Sequence, residues 1–148
     1  MHQLVKVTLK SKGLVNKMNK DKINNLIPEA INALETTKIV KNGKIETAFN
    51  GYISSFGASV IQTGLLASVA KFENQNSSTE SDRPKLMKAI LYLLTGENKT
   101  EKGALLKYII ENQKNNPRLQ SEIEEAAIAL KLTMRIFEFE NKEEEENK

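Results

Sequence analysis

The stretch from Phe56 to Phe72 (Phe-Gly-Ala-Ser-Val-Ile-Gln-Thr-Gly-Leu-Leu-Ala-Ser-Val-Ala-Lys-Phe) sets two glycines into an apolar-rich run within an otherwise polar chain. Gly57 and Gly64 stand seven residues apart, two turns on one face of a helix. Ala58, Ser59, Ala67 and Ser68 keep their surroundings small. The pattern predicts a buried helix–helix crossing with close backbone approach at the glycines, and it carries no chemistry of its own. After Gly64 the apolar positions Leu65, Leu66, Val69 and Phe72 restart a helical period, so a second helix or a bent continuation begins there.

The rest of the chain repeats helical spacing between breakers. Asp21 can cap a helix with Ile23, Leu26, Ile27, Ala30, Ile31 and Leu34 on one face, and Pro28 requires either a kink or a start near that residue. Lys41-Asn42-Gly43 reads as a turn. Ile45, Phe49, Tyr52, Ile53 and Phe56 lead into the glycine stretch, and residues 73–81 contain no hydrophobe and read as a loop. Ser81 or Asp82, with Pro84 in the first turn, opens a helix through Leu86, Met87, Ile90, Leu91, Leu93 and Leu94 that stops at Gly96. Thr100 opens another through Ala104, Leu105, Leu106, Ile109 and Ile110, and Pro117 starts the last. In that last helix Ile123, Ala127, Leu130, Met134 and Phe137 form a stripe that Ile128, Leu132 and Ile136 widen, which calls for burial against more than one neighbour. The expected fold is all-α, a compact bundle of about five to six helices. Residues 1–17 form an N-terminal extension in which Leu4 to Leu9 partly alternate, residues 18–138 the helical-bundle domain, and residues 139–148 an acidic C-terminal tail.

A chain of 148 residues without cysteine suits one domain in a reducing cytoplasm. No segment approaches the ~20 apolar residues of a membrane helix. The formal charge of +3 is unevenly spread. From residue 138 onward there are six Glu and two Lys, while the preceding 137 residues hold 20 basic and 13 acidic side chains. Nine Lys against Asp21, Glu29 and Glu35 fall within residues 1–44. Such a field attracts polyanions in a salt-sensitive, sequence-independent way; solvated lysines of an Asn/Lys-rich chain are the alternative.

Catalytic equipment is scarce. His2 is the single histidine and sits near the start of the chain, and the two aspartates, Asp21 and Asp82, stand where helix caps are needed. Glu122, Glu124 and Glu125 fall early in a helix, where carboxylates favour the macrodipole. Gly51, Gly57 and Gly64 match no phosphate-loop spacing. The expectation is a non-enzyme with no cofactor and no metal site. Basic residues are the better lead. Lys38, Lys41 and Lys44 flank the Gly43 turn, Lys71 follows the glycine stretch, and Lys131 and Arg135 are adjacent at i,i+4, where their repulsion invites an anion, although Arg135 can also pair with Glu138.

Gln62-Thr63-Gly64-Leu65-Leu66 with Val69-Ala70-Lys71-Phe72 resembles an element of the small helical subunit of the Cmr complex, the type III-B CRISPR effector. The helix from Ile23 to Leu34 stands where that family begins, and Glu125-Ala126-Ala127-Ile128-Ala129-Leu130-Lys131-Leu132-Thr133-Met134-Arg135-Ile136-Phe137 is similar to its alanine-rich closing helix. The resemblance covers roughly residues 20 to 138. It implies a non-catalytic structural subunit that stacks as a short filament with further copies of itself. It also implies contact with the other Cmr effector subunits and a place along the guide RNA and target RNA backbone. On that reading Lys38, Lys41, Lys44, Lys71, Lys131 and Arg135 are the RNA-binding residues. The alternative is a helical protein-binding adaptor whose lysines serve solubility alone. Met18 directly precedes the first capped helix, so deletion of residues 1–17 is expected to leave cooperative thermal unfolding intact. Loss of the cooperative transition in that variant would instead dock Leu4 to Leu9 into the core.

Overall fold

The computed structural model describes residues 20–74 and 82–141. The N-terminal extension with His2, most of the polar 73–81 segment and the tail from residue 142 lie outside the described residues. Helix α1 covers residues 20–36 and continues without a break through Pro28, which is exposed; Asp21 lies inside the helix and does not cap it. Ala30, Ala33 and Leu34 are fully buried, with Ile23, Leu26 and Ile27 packed on the core edge. Where α1 ends, the Thr37 hydroxyl donates to the Ala33 carbonyl at 2.7 Å, and Lys38 adopts a left-handed φ of 64°.

The turn expected at Lys41-Asn42-Gly43 is a β-hairpin. Strand β1 (Val40–Lys41) pairs antiparallel with β2 (Lys44–Glu46), and both loop residues have positive φ, Asn42 at 55° and Gly43 at 75°. Two such residues make the type I′ turn whose twist matches a hairpin, and an Asn-Gly pair supplies it at least strain. Strand β3 (Glu138–Glu140) lies parallel on the other side of β2, giving a small three-stranded sheet that the all-helical expectation did not contain. The boundary between residues 138 and 139 falls inside β3.

The glycine stretch is a corner. Helix α2 (Ala48–Thr63) buries Phe49, Ile53, Phe56 and Val60 at spacings of four and three, and α3 (Leu65–Glu73) follows after Gly64 alone. Gly64 has φ 91° and ψ 167°, a region open essentially to glycine only. The close backbone approach expected at Gly57 and Gly64 is absent, because a Cβ placed on either would meet nothing within 4 Å. Of the small residues around them, the two serines serve hydrogen bonding. Ser68 donates to the Gly64 carbonyl at 2.7 Å, and its hydroxyl meets that of Ser59 at 2.7 Å and that of Thr63 at 3.2 Å. The corner folds the two ends of the stretch together: Phe56 and Phe72 meet edge to face, ring centroids 5.3 Å apart.

Helix α4 (Asp82–Thr95) is the centre of the bundle, buried on most sides and packed against α2, α3, α5 and α6. Gly96, at φ 76°, ends it as the sequence requires. Helix α5 (Ala104–Asn112) begins four residues later than Thr100, after left-handed Gly103. Its first N–H groups are capped from afar: Leu105 N–H donates to Glu73 Oε1 at 3.0 Å and Leu106 N–H to Oε2 at 3.4 Å. Glu73 therefore belongs to the packed structure and not to the loop. Helix α6 (Leu119–Met134) starts two residues after Pro117 and packs against both α2 and α4, burying Ile123, Ala127, Leu130 and Met134. Ile128, Leu132 and Ile136, expected to widen the buried stripe, stay exposed. Ile110 does too.

Two outcomes follow from this packing. Gly57→Ala places a methyl in open space at a mid-helix position and should raise stability by up to about 1 kcal/mol, whereas Gly64→Ala should cost roughly 1 to 3 kcal/mol at its positive φ. Chemical denaturation of both variants checks the opposite signs. Burial raises the Glu73 pKa, against the hydrogen bonds from Leu105 and Leu106 and the charge of Lys88. The folded state then holds this proton to higher pH than the unfolded chain, so the group's contribution to stability is full at low pH and is lost as pH rises through the folded value. Thermal melts of Glu73→Gln against pH should show that decline flattened.

Candidate nucleic-acid interface

The basic residues singled out in the sequence separate into three places. Lys41 and Lys44 flank the hairpin loop, Lys38 lies in the turn two residues before β1, and all three are exposed. The Thr37-Lys38 turn delivers the chain into β1, and the tight Asn42-Gly43 loop sets Lys41 directly opposite Lys44 in the ladder. Like charges placed so repel each other, which an anion between them relieves. The ladder register continues from Lys44 to Glu138 of β3, so the row across the sheet reads lysine, lysine, glutamate. Lys44 Nζ lies 4.0 Å from Glu140 Oε1, a half-exposed pair. Among the described residues no carboxylate pairs with Lys38 or Lys41.

The sheet is anchored to the bundle. Ile45 is buried beneath it, the Glu138 N–H donates to the Gly43 carbonyl at 3.2 Å, and the Thr47 N–H donates to the Glu140 carbonyl at 2.9 Å. The β3 contact thus holds the tip of the hairpin as well as its base. Hydrogen bonds to β3 back the strand that carries Lys44.

Lys71 is exposed in the last turn of α3, a helix packed among α2, α4 and α5 and so away from the hairpin. Lys131 and Arg135 lie at the end of α6. Arg135 follows the last helical residue and is exposed, and it forms no ion pair with Glu138 among the described residues. Lys131 is half-buried and borders a groove of about 480 Å³ between α2 and α6. Ile53, Gly57, Ile61, Ala127 and Ile128 line that groove. Ile61 is 86% exposed. The open space above Gly57 is the groove itself, which explains why no neighbour approaches that glycine.

Other polar groups are structural. Arg83 stacks over Tyr52 and Phe72, 5.2 and 5.6 Å from the ring centroids. Glu125 is buried, with Arg118 Nη2 3.7 Å from its Oε1. Among the described residues no three His, Cys, Asp or Glu side chains are grouped to hold a metal ion, and no helix is long and apolar enough to cross a membrane.

Sequence reasoning placed the three hairpin lysines together but missed the hairpin. Its signal was present: Asn-Gly between Ile39-Val40 and Ile45. The partnership with β3, more than ninety residues away, leaves no local signal.

Neither the curated proteins nor the solved structures compared with the chain gave a match. A family model described as CRISPR-associated protein (Cas_Cmr5) matches residues 27–132, which span α1 from its second turn almost to the end of α6. The match covers the corner, the hairpin and most of the helical core, and the chain belongs to the Cas_Cmr5 family of CRISPR-associated proteins.

Proposed function

We propose that this chain is a non-catalytic structural subunit of a cytoplasmic type III-B (Cmr) ribonucleoprotein effector. It stands beside the other Cmr subunits and further copies of itself in a short stack, and it lines the path of guide RNA and target RNA. The observation that supports the RNA contact is the hairpin: an exposed turn on which Lys41 faces Lys44, with Lys38 in the turn that leads into β1. Of the six basic residues named from the sequence, we assign the phosphate contacts to Lys38, Lys41 and Lys44, because these fall within one short exposed segment, the hairpin and the turn that leads into it. Contacts to backbone phosphates position a protein along a strand without reading its bases. That is the behaviour a lining subunit needs.

The α2/α6 groove favours a second reading, a protein-binding adaptor without nucleic-acid contact. Salt dependence separates the two. Each phosphate contact to a single strand contributes a log–log slope of about −0.7, so the variant K38Q/K41Q/K44Q should flatten the slope by about two units. The fold should be preserved, since all three side chains are exposed. The measurement is RNA affinity of the purified chain across a salt series, with circular dichroism as the control for folding. A slope unchanged by the triple substitution overturns the RNA assignment and leaves the adaptor.

A further inference from the structure

Two Asn-Gly dipeptides occur in the chain, Asn42-Gly43 in the hairpin loop and Asn50-Gly51 in the first turn of α2. An asparagine followed by glycine carries a latent reaction, because no side chain on the second residue keeps its peptide nitrogen away from the carboxamide of the first. That nitrogen, after losing its proton to hydroxide, bonds to the Asn Cγ and closes a five-membered imide. The Cγ–Nδ2 bond breaks, and Nδ2 leaves as ammonia with a proton from water. Water then opens the imide at either carbonyl and leaves aspartate or isoaspartate. One water enters and one ammonia departs, with nothing oxidised or reduced.

Ring closure requires the glycine nitrogen to eclipse Cβ about the Asn Cα–C bond, which happens at an Asn ψ of about −120°, the ψ of the first loop residue in a type II′ turn. Such a turn also wants a φ of about +60° there, and Asn42 already stands at 55°. Types I′ and II′ are the two favoured two-residue hairpin turns, and they differ by a flip of the peptide between the loop residues. Here the flip asks for a change of φ at Gly43, and glycine takes either sign. Lys41 and Lys44 can stay paired through it, and among the described residues the Gly43 N–H donates no hydrogen bond that it would break. Asn42 is exposed, so water reaches the imide. Asn50 is held quite differently. Its helical ψ lies near −42°, its N–H donates to the Thr47 carbonyl at 3.1 Å, and Phe49 before it and Ile53 after it are buried. Swinging its peptide to the reactive angle would unwind the start of α2.

We propose that Asn42 is a site of spontaneous deamidation in the folded chain, reached by a flip of the hairpin turn, while α2 protects the same dipeptide at Asn50. Aspartate at this position puts a carboxylate between Lys41 and Lys44, the cations that face each other across the loop. Isoaspartate adds a methylene to the backbone of a loop built for two residues. Either product weakens the hairpin's hold on an anion, so the protein loses phosphate affinity as it ages. That consequence rests on the RNA-lining role, whereas the reaction at Asn42 does not.

Cleavage after glutamate separates the two dipeptides, into residues 36–46 and 47–73. The full chain is aged in mildly alkaline buffer, with and without guanidinium chloride, then digested and read by mass spectrometry for the conversion of an amide to a carboxyl. In the folded chain the 36–46 peptide should convert at least about tenfold faster than 47–73, because a turn opens at lower free energy than a packed helix. In denaturant the two rates should converge. Equal rates in the folded chain, or a faster Asn50, overturn the proposal, as does a 36–46 peptide that stays unchanged while the denatured chain converts. Asn42→Asp, which reproduces one product, should weaken RNA binding about two- to fivefold with an unaltered circular dichroism spectrum. Unchanged affinity in that variant overturns the loss with age. Absence of RNA binding by the fresh chain counts against the RNA-lining role, and the peptide map still decides on Asn42.

Discussion

Gly64 is the position on which the rest of the structure depends. Its backbone occupies a region that a side chain would forbid, and this lets α2 end and α3 begin without an intervening loop. The reversal brings Phe72 onto Phe56 and gives the pair a common face against α4. It also determines where α3 ends. Because α3 leaves the corner in that direction, Glu73 arrives at the start of α5, where its carboxylate accepts from two N–H groups that no local side chain caps. One strained residue thereby sets an aromatic contact next to it and a helix cap nine residues further on.

That arrangement buries polar groups that a simpler bundle would leave in water. Glu73 gives up hydration, and burial raises its pKa in consequence. The two backbone hydrogen bonds offset part of that cost, at roughly 1.5 to 3 kcal/mol for a bond to a charged group. Arg83 meets the same problem differently. Its Nε is buried without a hydrogen-bond partner, and the guanidinium lies over Tyr52 and Phe72, where the ring faces supply about 0.5 to 2 kcal/mol of attraction. Both charged groups sit where α3 meets the bundle. The corner is therefore held by directional contacts as well as by apolar burial, which favours one arrangement of α2 and α3 over a merely compact one.

The helices were legible because periodicity and breakers agreed: Phe49, Ile53, Phe56 and Val60 repeat with the spacing that burial requires, and Gly96 stops α4 where its φ demands glycine. The reading of Gly57 and Gly64 as a close crossing was wrong because spacing alone cannot tell a glycine needed for room from one needed for its dihedral angle. Thr100 looked like a cap, but the N–H groups of α5 are served by Glu73, and long-range caps have no local pattern. Of the candidate site, the grouping of three lysines could be read from sequence, since it depends only on neighbours in the chain. The strand that backs the hairpin, β3, is remote in the chain, and the exposed stripe at Ile128 could not be told from a buried one by its period.

The sheet ties the two surfaces of the molecule together. Strand β3 begins four residues after the last residue of α6 and pairs along the whole of β2, so the lysine hairpin and the apolar α6 face share one short connection. An anion on the hairpin must compete with Glu140 for Lys44. That pair is 4.0 Å long and half-exposed, so breaking it costs under about 1 kcal/mol. A phosphate within reach offers Lys44 an ion pair of the same kind. Lys44 can therefore turn from Glu140 to a phosphate while the backbone bonds from Glu138 to Gly43 and from Thr47 to Glu140 stay in place. The backbone of the hairpin and of β3 can stay as it is while Lys44 changes partner.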